Sequence, residues 1–156
     1  MLTARILQVT VQVTAQTAGS VVRTAMQFNE PQILIADDDA DLRVALSEAF
    51  QRRGYRTTLA ADGQEALELV QSRITLHLAI LDIHMPRLSG LATLECIRRL
   101  DMPRLPCLLM TAEVDADIEQ RVLDLAGSPV LAKPFALRTL TDTVRDIMQR
   151  AHGFAL

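Results

Sequence analysis

Ile33-Leu34-Ile35-Ala36 carries no polar side chain and stops abruptly at Asp37-Asp38-Asp39. A short apolar run closed by acids reads as a strand buried on both faces, as in a parallel sheet. The period then changes. Leu42, Ala45, Leu46 and Ala49 recur at helical spacing, and Gly54 closes that helix. The same alternation continues along the chain. Residues 55–59 read as a second strand, and Asp62-Gly63 as a turn before a helix carrying Ala66, Leu67, Leu69 and Val70. Residues 76–81 form the third expected strand, ending at Asp82. Met85-Pro86 to Gly90 is a loop, and Leu91, Leu94, Ile97 and Leu100 mark the third helix. Pro103 and Pro106 bracket a turn before a fourth strand, residues 107–110, which ends at Thr111. An acidic helix over 115–125, with Gly127 past its end, leads to a short fifth strand, Val130-Leu131-Ala132, ending at Lys133-Pro134. The last helix places Leu137, Leu140, Val144, Ile147 and Met148 on one face. Five strand–helix units in a row predict an α/β fold: a doubly wound, five-stranded parallel sheet with helices on both sides.

Composition narrows the function classes. The 156 residues suit one domain with a sizeable core. The net charge is -3 with no basic stripe, so a direct nucleic-acid partner is not expected. No apolar run approaches the ~20 residues a membrane span needs, and no membrane partner is expected. Cys96 and Cys107 have neither metal spacing nor a disulfide framework and read as reduced thiols in or near a core, which fits a cytoplasmic location. All the basic residues are Arg except Lys133. A lone Lys supplies a compact point charge that the planar guanidinium cannot copy at a crowded site.

The first thirty residues differ. Thr10-Val11-Gln12-Val13-Thr14 alternates like a strand, and a small polar stretch follows. Gln8, Thr10 and Gln12 interrupt any secretory h-region. The expected organisation is a poorly ordered extension over 1–30, a domain over 31–152 and a tail over 153–156.

Ligands of open α/β sheets bind beyond the carboxyl ends of the strands. At those ends stand Asp37, Asp38 and Asp39, then Asp82, Thr111 and Lys133. Each has a plain reading alone. Asp39 suits a helix cap, Thr111 a cap, Lys133 a surface charge. Together they suit different work. Asp37, Asp38 and Asp82 would repel one another unless a divalent cation relieved them, and Mg²⁺ takes one or two carboxylates plus waters and phosphate oxygens. Thr111 can donate to an incoming oxyanion and Lys133 can neutralise it. An Asp carboxylate can act as the nucleophile of phosphoryl transfer.

These motifs resemble the receiver domain of bacterial two-component response regulators. The match is carried by Ile33-Leu34-Ile35-Ala36-Asp37-Asp38-Asp39, by Leu81-Asp82-Ile83-His84-Met85-Pro86 with Gly90, by Met110-Thr111-Ala112 and by Lys133-Pro134-Phe135, in family order and spacing. The resemblance implies a flavodoxin-like (βα)5 fold with strand order 2-1-3-4-5. It implies Asp82 as the phosphoacceptor, fed by the phosphohistidine of a sensor histidine kinase or histidine phosphotransfer protein, or by a small phosphodonor. It implies Mg²⁺ held by Asp38, by Asp37 directly or through water, by Asp82 and by the backbone carbonyl of His84. Thr111 is expected to hydrogen-bond the phosphoryl group and move toward it, Lys133 to pair with it, and the Lys133–Pro134 peptide to be cis. The output face would be the helix before the fifth strand, that strand and the last helix, acting on a downstream protein partner. The position that often carries a switch aromatic is Val130 here. His84 and Glu113 stand two residues beyond Asp82 and Thr111, where the family tunes phosphoryl lifetime. The expected product is a stand-alone receiver in phosphorelay signal transduction, a self-modifying phosphoprotein rather than an enzyme.

Two other readings compete. A receiver-fold interaction module would work without phosphate. An Asp-nucleophile phosphohydrolase would follow its first strand with D-x-D-x-[T/V], whereas Asp37-Asp38-Asp39 runs into Ala40-Asp41.

Overall fold

A computed structural model of the chain describes residues 30–72, 74–100, 105–113, 116–125 and 128–154. Residues Pro31–Leu156 belong to one compact unit. The expected extension over 1–29, Pro103, Asp115, Gly127 and the last two residues of the tail lie outside the described residues.

The elements alternate as the hydrophobic pattern predicts: β1 (Gln32–Ala36), α1 (Ala40–Gln51), β2 (Arg56–Ala60), α2 (Gly63–Gln71), β3 (Leu78–Asp82), α3 (Gly90–Arg99), β4 (Cys107–Thr111), α4 (Ala116–Asp124), β5 (Val130–Ala132) and α5 (Leu137–His152). All pairings are parallel, and the sheet order is β2-β1-β3-β4-β5. The 2-1-3-4-5 order, like the doubly wound class, is therefore present.

Two apolar layers hold the sheet. Leu34, Ala36, Ala79, Leu81 and Leu109 face Ala66, Val70, Leu94, Ile97 and Val122 of α2, α3 and α4. Ile33, Ile35, Ile80, Leu108 and Met110, the alternate residues, face Leu46, Phe50, Leu140, Val144 and Met148 of α1 and α5. Strands β3 and β4 are buried along their whole length, because helices cover both sides.

Three differences from the sequence pattern have local causes. The second strand begins at Arg56 rather than Tyr55, since Tyr55 turns inward to meet Phe50 edge-on. The third begins at Leu78 rather than Leu76; the His77 ring instead accepts the backbone N–H of Gln32 on Nδ1 at 3.0 Å. Leu137, placed on the buried face of α5, is 42% exposed. It opens the helix beside a cleft lined by Arg53, Tyr55 and Arg145.

Candidate phosphoryl site at the strand ends

The register brings the polar strand ends together. Ala36 is level with Leu81, so Asp37 stands beside Asp82; Asp82 is level with Met110, and Thr111 with Ala132. Carboxylate oxygens of Asp37, Asp38 and Asp82 all lie within 4.8 Å of one another. Asp39 stands apart from them. It caps α1, accepting the backbone N–H groups of Asp41 and Leu42 at 3.0 and 3.1 Å.

Asp37 is fully buried and fully engaged. Its Oδ1 accepts the N–H of Asp39 at 2.9 Å, and its Oδ2 accepts the Lys133 ammonium at 2.8 Å. Lys133 Nζ also lies 3.0 Å from Oδ1 of Asp82, so one ammonium bridges the ends of β1 and β3. Burial pushes the Asp82 carboxyl above its ordinary value; the Lys133 hydrogen bond opposes this, and the Asp37 and Asp38 charges reinforce it. Burial alone would lower the Lys133 ammonium, but its hydrogen bonds to Asp37 and Asp82 reverse this and raise it. Three carboxylates thus face one ammonium, a balance that favours a hard cation with oxygen ligands.

Thr111 is buried at the end of β4. Its hydroxyl donates to the carbonyl of Glu113 at 2.7 Å and accepts the Glu113 N–H at 3.1 Å. The exposed His84 places Nδ1 3.5 Å from the same hydroxyl. The Lys133–Pro134 peptide is cis.

The loop after Asp82 folds back tightly. Ile83 N–H donates to Met110 at 2.8 Å, and Gly90 N–H returns to the Ile83 carbonyl at 3.0 Å. A Cβ on Gly90 would sit 2.2 Å from the Asp82 carbonyl oxygen, so only glycine permits that return. Three supporting groups are absent from the sequence reading. Arg43 of α1 donates to the Asp37 carbonyl. Arg87, with φ 62, pairs with Asp62, the N-cap of α2. Gly63 admits the Leu88 carbonyl where a Cβ would stand, at 2.1 Å. Asp62-Gly63 was legible only as a turn, and Arg43 and Arg87 carry no signal in a chain so rich in Arg.

Known proteins share this fold. The family model of the response regulator receiver domain matches residues 33–145. Response regulator RR06 of Streptococcus pneumoniae is 33% identical over 118 residues, 76% of this chain and 53% of that protein. The transcriptional regulatory protein CpxR of Escherichia coli is 34% identical over 121 residues, 78% of this chain and 50% of that one. The chain thus spans about half the length of these curated relatives. Among solved structures, the Francisella response regulator 1452 receiver domain aligns with a TM-score of 0.71 at 28% identity, over 78% of this chain and 98% of that one. Chemotaxis response regulator CheY4 of Vibrio cholerae aligns with a TM-score of 0.70 at 28% identity, over 76% and 98%. Receivers are phosphoacceptors of two-component signalling that work with histidine kinases and bind Mg²⁺ at an acidic pocket. With its strand order, its acidic cluster and a family match over most of its length, the chain belongs to the response regulator receiver domain family.

Proposed function

We propose that residues 31–152 act as a phosphoryl-accepting switch with Asp82 as the acceptor. The observation that carries this reading is the Lys133 ammonium held between Asp37 and Asp82, with Asp38 in reach. Asp37, Asp38, Asp82 and the His84 carbonyl are the groups that would hold Mg²⁺; when bound, it offsets their charge and that of the phosphoryl oxygens. The donor set fits, being all oxygen and mostly anionic.

A carboxylate oxygen of Asp82 attacks phosphorus of a phosphohistidine. The P–O bond forms as the P–N bond breaks, and its electron pair returns to the histidine nitrogen, which takes up a proton. Lys133 stays near Asp82 and neutralises the arriving oxygens. Thr111 must give up its bond to the Glu113 carbonyl before its hydroxyl can donate to the phosphoryl group. That exchange couples the charge at Asp82 to β4 and to the neighbouring face of α4, β5 and α5, where a downstream protein would bind. Hydrolysis returns inorganic phosphate and the free carboxylate.

Intact mass after incubation with acetyl phosphate and Mg²⁺ tests the reading. Wild type should gain one phosphoryl group and Asp82→Ala none. No gain in wild type would favour the phosphate-independent module.

A further inference from the structure

Tyr55 holds a polar atom that no described residue satisfies. The residue is 5% exposed, with its ring packed edge-on against Phe50 at 5.6 Å between centroids. Among the described residues nothing hydrogen-bonds its hydroxyl, yet the oxygen is not sealed from solvent. Tyr55 lines a cleft of about 610 Å³ between the turn after α1, which supplies Arg53, and α5, which supplies Leu137, Thr141, Asp142 and Arg145. Burial raises the phenol above its ordinary value while the nearby Arg145 and Arg53 charges oppose this, so the group remains an O–H donor at neutral pH.

The cleft is short of negative charge. Arg138 also lines it, so three guanidinia meet one carboxylate, Asp142. Asp142 pairs with Arg145 at 2.9 Å and lies 3.7 Å from Arg138. Arg53 donates to the Ala49 carbonyl at 2.8 Å and has no carboxylate partner among the described residues. A recessed phenol donor flanked by guanidinium forks suits an anion with several acceptor oxygens, phosphate above all. The volume lies in the range of small-molecule sites. Leu137 adds an apolar lip.

We propose that the cleft formed by Tyr55, Arg53, Thr141 and Arg145 binds the phosphate group of a small organic phosphate. It is separate from the acidic cluster at the strand ends, whose net charge repels a free anion. The recessed hydroxyl favours a small group over a peptide laid across the surface. A ligand seated here would tie α5 to the turn after α1.

Tyr55 is the only Tyr and the chain has no Trp, so tyrosine emission reports this cleft alone. The full chain in EDTA, at ionic strength fixed with chloride, is titrated with inorganic phosphate and with pyrophosphate. Emission should change saturably, with pyrophosphate the tighter of the two. Arg53→Gln and Arg145→Gln should each weaken the midpoint several-fold, and together by about tenfold or more. Both side chains are solvent-facing, so melting temperatures should stay close to wild type. Asp82→Ala should bind as wild type does, which keeps this test independent of the phosphoacceptor. A response that chloride reproduces, or midpoints unmoved by both Arg variants, overturns the proposal. A Glu-rich peptide that saturates below pyrophosphate overturns it too, and makes the cleft a protein-docking surface.

Discussion

Arg87 reaches across the sheet edge to Asp62, its Nε lying 2.6 Å from Oδ2, and ties the loop that follows Asp82 to the first turn of α2. Asp62 does two things at once: Oδ1 caps α2 by accepting the Glu65 N–H at 2.9 Å, and Oδ2 holds Arg87. Asn caps a helix as well as Asp but cannot form the ion pair. Asp62→Asn should therefore leave the helix intact and loosen the loop that carries His84. Phosphorylation of Asp82 by acetyl phosphate, followed by mass, should slow by roughly two- to tenfold, as expected when a positioning contact is lost. Circular dichroism should match wild type. An unchanged rate would show that the pair has no bearing on the acceptor loop.

Gly63 sits where that loop and α2 come closest. A Cβ there would lie 2.1 Å from the Leu88 carbonyl oxygen and 2.2 Å from the Thr93 hydroxyl. Both neighbours are constrained: Thr93 is buried, and its hydroxyl already donates to the Ser89 carbonyl at 2.9 Å. Overpacking of this kind typically costs about 1–3 kcal/mol. Gly63→Ala should lower the unfolding free energy from urea titration by that amount and should slow phosphorylation as well, because the displaced backbone belongs to the loop that follows Asp82. Retained stability would mean that α2 shifts freely away from the loop.

The layered fold was legible because it is a matter of period. Ile33 to Ala36 and Leu78 to Leu81 are buried on both faces, and such strands read as unbroken apolar runs in any context. The acidic cluster was legible because each member ends a strand, and parallel strands share one carboxyl edge. Arg87, Arg43 and Gly63 were not legible, because their importance comes from what folding brings opposite them. Leu137 misled for the converse reason. Its helical spacing with Leu140 and Val144 predicts burial, but spacing says nothing of whether a neighbouring element covers the first turn.

His77 provides a pH signature away from the strand ends. Its Nδ1 accepts the Gln32 N–H at 3.0 Å, and its ring meets those of His152 and Phe154 at 5.3 and 5.2 Å. Burial lowers its pKa from the ordinary 6.5, and the charge of His152 lowers it further. The unfolded chain then binds the proton more readily than the folded one. This contribution to stability is complete above about pH 6.5 and is lost as pH falls through the window below it. Urea midpoints should drop between pH 7.5 and 5.5 in wild type, and less in His77→Gln. Parallel curves for the two proteins would remove His77 as the source.

His84 is the side chain most directly placed to act on the phosphorylated state. It is exposed, two residues beyond Asp82, and its Nδ1 lies 3.5 Å from the Thr111 hydroxyl. An imidazole in that position can accept a proton from a water approaching the aspartyl-phosphate. Asn is smaller, keeps a hydrogen-bonding tip and cannot serve as a base. Asp82 phosphorylated from acetyl phosphate, then freed of donor, should therefore hold its phosphoryl group longer in His84→Asn, by roughly tenfold if the base role is the dominant one. The rate of phosphorylation should change little, since the carbonyl of residue 84 is retained. Equal half-lives in the two proteins would place His84 outside the hydrolytic step and leave Glu113, whose backbone holds Thr111 in the resting state, as the next residue to vary.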